Sequence, residues 1–454
     1  MSDLLSLLSL GSNAIQAQGS GLAVATNNVA NVNTRGYSRQ RVDLNALMGA
    51  PLVGGVVAGS PERLQDNLLA GRLRTAGGSL AMSTAFREAV LDVETRVASA
   101  GPTVHEQLGE LASRFTELTA TPTDPFTRES VLLAARGLTQ GIRRRAAELN
   151  AAQEEANARI RARAAQISEL ASRLGETNLA IQRSGDPTAR DERDRIAGQL
   201  TELTGGNARI DADGQMRFVL DGGAVLVDGN HAASLQSTTD ATTGDQRLEV
   251  VAGGIRRDVT ANITSGSLGA DLQVRDVVIA KARTDLDQLA FDVSSSYNAA
   301  HRANAGLDGV TGRDMFTQPT QVDGAANAMA VDPALDADPA LLATAAPGGA
   351  TGDNAGARAL LAVSSAQVAS GGRTLSGAAL DMVSAIGVVA SEAKFDVDRD
   401  TVLTDNLSSL RDSLAGVDIQ EELSNLARFE HATSAMTRFV STVDNLLGDL
   451  IAKL

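Results

Sequence analysis

The sequence predicts a mainly α, elongated fold: N- and C-terminal helices paired as a coiled coil, a long helical bundle in the middle, and a small antiparallel β insertion. Three observations predict it. Apolar heptads run through both ends of the chain, long stretches between them carry helical spacing behind Asp-Pro or Ser-Pro openings, and residues 207–260 alternate apolar and polar around Asp-Gly turns. Composition agrees, since 43% of the 454 residues are hydrophobic while aromatics supply only 2% and Trp none, which suits slender helix-on-helix packing.

Leu4, Leu8, Gly11, Ile15, Gln18, Leu22, Ala25 and Val29 alternate steps of four and three, a seam for a partner helix. Ala14, Ala17, Gly19, Gly21 and Ala23 around it let another backbone come close, and each glycine costs about 1 kcal/mol of helix propensity, so the segment is marginal alone. The heptad stops after Val29. Asn31, Asn33 and Gly36 tolerate left-handed backbone, so "NNVANVNTRGYSRQ" (27–40) reads as a joint covered by the ring of Tyr37, and such a joint can double as an intersubunit contact.

Ser60 and Pro61 open a helix running to about residue 102, Asp124-Pro125 another to about 183, and Asp186-Pro187 a third. "ARIDADGQMRFVLDGGAVLVDG" and "QRLEVVAGGIRRDV" read as short antiparallel strands. Helical spacing returns at Leu268, Leu272, Ile279, Ala282, Leu286, Leu289 and Val293. It fails across 304–357, where Gly, Pro, Asp and Ala dominate and an extended surface segment is expected. A helix from near Leu375 stops at Gly416, and Asp418 with Glu421 forms a capping box for the last one. Its seam is Leu426, Phe429, Thr433, Met436, Val440, Val443, Leu447, Leu450 and Leu454. An apolar seam carried that far calls for a partner for both ends. The expected division is a terminal coiled-coil unit (1–45 with 415–454), a helical bundle (46–206 with 267–414) and a β-rich subdomain (207–266).

The formal net charge of −15 argues against nucleic acid, whose phosphates need a concentrated basic surface; Arg143, Arg144 and Arg145 read as a solvated helix face. Without cysteine there is no disulfide, thiolate metal site or Cys nucleophile. "MSDLLSLLSLGSNAIQAQG" carries Asp3 where a signal peptide has Lys or Arg, and no run approaches the roughly 18 apolar residues of a membrane span. The expectation is therefore no membrane insertion, and either a cytosolic chain or export without a cleavable signal.

Catalytic and metal patterns fail on inspection. "FDVDRD" sets Asp396, Asp398 and Asp400 at Ca²⁺-loop spacing but has Thr401 and Leu407 where Gly and Glu belong. His105, His231, His301 and His431 are scattered, and the Glu beside His105 and His431 points about 100° away on a helix. Carboxylates in "DERDR" (191–195) read as solvated ion pairs. No nucleophile elbow or phosphate loop occurs, so no catalytic residue, metal or cofactor is expected.

The stretch 27–40 resembles the N-terminal signature of the bacterial flagellar axial proteins, the rod, hook and hook-associated group. "GGVVAGSPERLQDNLLAGRLRTA" and the tail "GVDIQEELSNLARFEHATSAMTRFVSTVDNLLGDLIAKL" are similar to two further segments of that family, with Pro61, Leu68 and Thr433 as departures. "RDERDRIAGQLTEL", "GSLGADLQVRD" and "DPALDADPALLATAAPGGATGDNAGA" resemble its hook-associated members most. The resemblance implies a structural adaptor at the hook-filament junction, exported by the type III route, whose terminal helices order on incorporation into a hollow helical assembly. Implied partners are further copies of the chain, the hook protein, the next junction protein and a dedicated export chaperone at the C-terminal tail. The implied partner-binding residues are Leu4, Leu8, Ile15, Leu22, Val29, Asn31, Asn33, Gly36 and Tyr37 with Leu426, Phe429, Met436, Val440, Val443, Leu447, Leu450 and Leu454. The rivals are another axial protein, hook or second junction protein, and a cell-wall hydrolase on an axial scaffold.

Overall fold

The computed structural model describes residues 2–34, 37–47, 55–99, 101–185 and 187–452. Helix α1 (Ser2–Ala30) leads into two antiparallel strand pairs: β1 (Gln40–Arg41) with β4 (Glu62–Arg63), and β2 (Leu44–Leu47) with β3 (Gly55–Ala58). These strands occupy the place where a helix is expected to start at Ser60-Pro61. The helix, α2 (Asn67–Ser99), begins later, because Asp66 Oδ1 accepts from the N–H groups of Leu68 and Leu69 and so caps it.

A helix absent from the sequence expectation follows, α3 (Val104–Ala120), opened by a reciprocal box between Thr103 and Glu106. Then α4 (Pro125–Ser184) runs 60 residues behind an Asp124 cap with Pro125 in the first turn, and α5 (Pro187–Thr204) returns alongside it; Asp186 lies outside the described residues. The β insertion is real. Strands β5 (Asn207–Ile210), β6 (Met216–Val219), β7 (Val225–Asp228) and β8 (His231–Ala232) make one antiparallel sheet. β9 (Ser234–Thr239), β10 (Gln246–Ala252) and β11 (Ile255–Asp258) make a second, with β10 central.

Helix α6 (Gly266–Gln273) passes through a π-helical stretch, Val274–Ile279, into α7 (Ala280–Arg302). Two short helices, α8 (Ala325–Ala328) and α9 (Pro333–Ala337), precede α10 (Ala355–Val363), α11 (Leu375–Ala415) and α12 (Ile419–Ala452). Gly416 ends α11 as expected, in an extended conformation (φ −70°) that still donates its N–H to Asp412 O.

Two hydrophobic cores share α4. The first gathers α2, α3, the N-terminal half of α4, α7, α10 and the start of α11 around Phe115, Tyr297 and Phe316, with ring centroids 5.6 and 6.0 Å apart. The second packs the C-terminal half of α4, α5 and α6 on Met216, Phe218, Leu226, Leu235 and Leu248 of the sheets. The apolar start of α11 has the length and composition of a membrane-crossing helix, yet Leu375, Ala379, Met382, Ile386 and Ala390 on it lie in the first core.

Residues 304–357 do not run extended over the surface. Met315, Phe316, Ala326, Met329, Leu335 and Leu342 sit in the first core, and isolated bridges (Ala305 with Ala345, Phe316 with Val331) together with side chains satisfy the backbone. Asn298 donates to Phe316 O and accepts from the N–H of Met315 and Phe316; Asp287 accepts from Gly324 and Ala326 N–H. His301 Nε2 accepts from Ala343 N–H while Nδ1 faces Arg313 O, and burial pulls its pKa down. Arg128, buried and shifted down to about 10 by desolvation, donates to the carbonyls of Pro122 and Leu342.

Candidate assembly interface

The two terminal helices pair antiparallel. A Cβ at Gly11 would collide with Val440 Cγ2 and one at Gly21 with the ring of Phe429, so the glycines are the positions where α12 side chains meet the α1 backbone. Between and beyond them Ala14, Ala17, Val24 and Ala25 are buried, together with Val443 on α12. On α1 the contact thus closes on small residues, about one position round the helix from the expected seam, because small side chains allow the shortest interaxial distance.

On α12 the expected seam makes that contact, through Phe429, Val440 and Val443, whereas on α1 the large seam residues fall on its flank. Leu4, Leu8, Ile15, Leu22, Val29, Leu426, Phe429, Val440 and Leu447 are half-buried, while Met436 and Leu450 are exposed. Leu5, Leu7, Leu423, Phe439, Leu446 and Ile451 are exposed beside them. Leu454 and Gly36 lie outside the described residues. A single subunit therefore leaves a row of large apolar side chains in water, at about 1.5–3 kcal/mol for each that a neighbour could fully cover.

At the joint the principal side chain is Asn28. It is buried, its Nδ2 donates to Gln40 O (2.8 Å), and its Oδ1 accepts from Gln40 N–H (2.9 Å) and from the Tyr37 hydroxyl (2.8 Å). Asn31 bonds back to Asn27 within the helix end, and Asn33 is exposed. Burial, then the nearby Asp191 and Glu422 carboxylates, push the Tyr37 phenol up to about 12. Next to it Arg39 reaches Glu422 (2.7 Å) and Glu421 (2.6 Å) in the first turn of α12. Asp418 does cap that helix, through Gln420 and Glu421 N–H, but the Glu421 side chain serves Arg39.

A second buried cluster ties the joint to the body. Arg63 on β4 lies 2.8 Å from both Asp191 and Asp194 of α5 and also donates to Ser38 Oγ. Burial and the neighbouring Asp194 raise the Asp191 carboxyl to about 6, against the pull of Arg63. Arg193 is buried too and donates to Gly214 O in the sheet turn. "DERDR" is therefore only partly solvated: Arg193 stands four residues before Ala197 on the inward face of α5, a phase readable from the sequence. Likewise, of the arginine triplet, Arg143 and Arg144 are exposed but Arg145 is buried, donating to Gly101 and Pro102 carbonyls. No group of three or more His, Asp or Glu side chains able to hold a metal ion occurs among the described residues.

Comparison with known proteins agrees with this architecture. Residues 90–316 match the family described as the flagellar hook-associated protein FlgK helical domain. Flagellar hook-associated protein 1 of Bacillus subtilis is 26% identical over 96% of both chains. Its namesake in Salmonella typhimurium is also 26% identical, over 70% of this chain and 60% of its own length. The solved hook junction protein FlgK from Burkholderia pseudomallei shares the fold, with a TM-score of 0.69 at 14% identity over 76% of this chain and 100% of that one. With half its length matched by that model, the chain belongs to the FlgK family of flagellar hook-associated proteins.

Proposed function

We propose that this chain is the structural adaptor subunit between flagellar hook and filament, and that its terminal helices are the assembly device. One observation carries this: α12 closes on the small residues of α1, and the pair leaves a row of large apolar side chains half-buried or exposed. In the assembled state those rows meet equivalent rows on neighbouring copies, so that Leu4, Leu8, Ile15, Leu22, Val29, Leu426, Phe429, Met436, Val440, Val443, Leu447, Leu450 and Leu454 bind partners, with Asn31, Asn33, Gly36 and Tyr37 at the joint.

The unit 1–45 with 415–454 forms the inner layer, 46–206 with 267–414 the body, and 207–266 its β-rich outgrowth. The hook protein lies on one side and the next junction protein on the other. Before assembly a dedicated chaperone holds the C-terminal tail, and the chain leaves by the type III route without a cleaved signal to stand outside the cell. No step requires catalysis. In a strain lacking this protein, hooks without filaments are expected, and the full-length chain should restore filaments and swimming. Normal filaments on the deletion strain would overturn the proposal.

A further inference from the structure

We propose that His301 is an acid-released latch: its uncharged ring clasps the outgoing and returning runs of residues 304–357 together, and a proton on that ring lets the returning run leave the first core. The latch lies in the body, so it stands or falls apart from the assembly role proposed above.

His301 sits in the last turn of α7 and is 1% exposed. Its Nδ1 lies 2.8 Å from Arg313 O, which can only accept, so Nδ1 carries a hydrogen. Its Nε2 lies 3.0 Å from Ala343 N, which can only donate, so Nε2 keeps its lone pair. Together the two contacts admit one form of the ring, neutral with hydrogen on Nδ1. They also join two runs of the segment that the sequence holds far apart.

The charged side chains around the ring are committed elsewhere. On the outgoing run Arg313 pairs with Asp308, and Asp314 pairs with Arg302 of α7. Asp332 gives its carboxylate to the N–H groups of Ala334 and Leu335 as the cap of α9. From α4, Arg128 reaches the same returning run, donating to Leu342 O and Thr344 Oγ1 on either side of Ala343. A cation on His301 would add a second positive charge there and turn Nε2–H against Ala343 N–H, out of reach of water. The carbonyl end of α7 favours a cation in its last turn, but burial outweighs it and holds the ring below its ordinary pKa of 6.5.

The closed segment therefore excludes the proton and the open one accepts it. Each pH unit below about 6.5 shifts the balance toward the open form by up to tenfold, levelling off once the closed ring itself takes the proton. Opening takes Leu342 out of the first core. Asn298, which holds Met315 and Phe316 and does not titrate, keeps the outgoing run in place. Asp353, which holds the returning run through Ala346 N–H, is pushed below the usual carboxylate range by that bond and by Ala355 N–H, so it stays charged throughout.

Amide hydrogen exchange of the full-length chain, corrected for the intrinsic rate at each pH, reads this opening. Between pH 7.5 and pH 5.0 the protection of peptides covering 342–346 should fall by about tenfold or more, while peptides from α4 and around Met315 and Phe316 keep theirs. In His301→Gln, whose amide can serve both contacts and takes no proton, protection of the returning run should stay constant. An equal loss in the variant, no loss in the wild type, or an equal loss throughout the body overturns the latch. If His301→Gln does not fold, nitrogen-15 NMR of the wild-type chain labelled at its four histidines decides. One ring should be neutral with hydrogen on Nδ1 at pH 7 and remain so at pH 6, and the absence of such a ring overturns the latch.

Discussion

Asn28 commits both ends of its amide to one residue across the joint, and none of the four asparagines in 27–40 announces which of them is buried. Asn31 and Asn33 turn the chain without the left-handed backbone expected of them, since only glycines among the described residues have positive φ, and the partner of a buried amide is set by tertiary approach, here by β1. Elsewhere, burial makes two sharp statements. The Tyr297 hydroxyl is enclosed with no hydrogen-bond partner among the described residues, so Tyr297→Phe should raise stability by about 1 kcal/mol, read as a higher Tm. Asp191 has its folded pKa raised to about 6, so its contribution is fully present below its ordinary value of 3.8 and is lost as pH rises through about 6. Asp191→Asn should remove that dependence: the variant should gain on the wild type, by on the order of 1–3 kcal/mol, as urea midpoints are followed from pH 4 to pH 7. Parallel curves over that range would refute the assignment.

Among elements, the heptads of α1 and α12 were legible as helices that need partners, and so were α4, the strands and the Gly416 stop. What periodicity could not tell was which stripe α1 would give α12. Small residues of α1 win the intramolecular contact because the backbones approach farther there, and its leucines are displaced to the flank. The large side chains left half-buried make a prediction. Leu447→Asp should leave the isolated subunit within about 2 kcal/mol of wild type, since the site is only half-buried, yet abolish filaments, because the assembled site would bury an unpaired charge. Arg143→Ala, on an exposed face, should change stability by less than about 0.5 kcal/mol and leave swimming intact. The segment 304–357 escaped the sequence because its burial follows no helical or strand period; Asn298, Asp287 and His301 organise it from a helix that precedes it.

At the scale of the molecule, both cores exclude α12, so removal of residues 426–454 should leave the body folded. Its Tm should move by under about 4 °C, while no filament forms in the deletion strain. A truncated chain that still builds filaments would show that the terminal rows are not the assembly device. The single helix α4 threads both cores, its first half packed in one and its second in the other. A continuous rod of about 90 Å, gripped along its whole length, admits no hinge between the two masses it joins. Bending and twisting loads that reach the subunit pass through this rod as through an axle, and the compliance falls to the joint, where α1 packs on β1 and β3 and the hydrogen bonds and ion pairs of Arg39, Arg63 and Asn28 tie the terminal helices to the body.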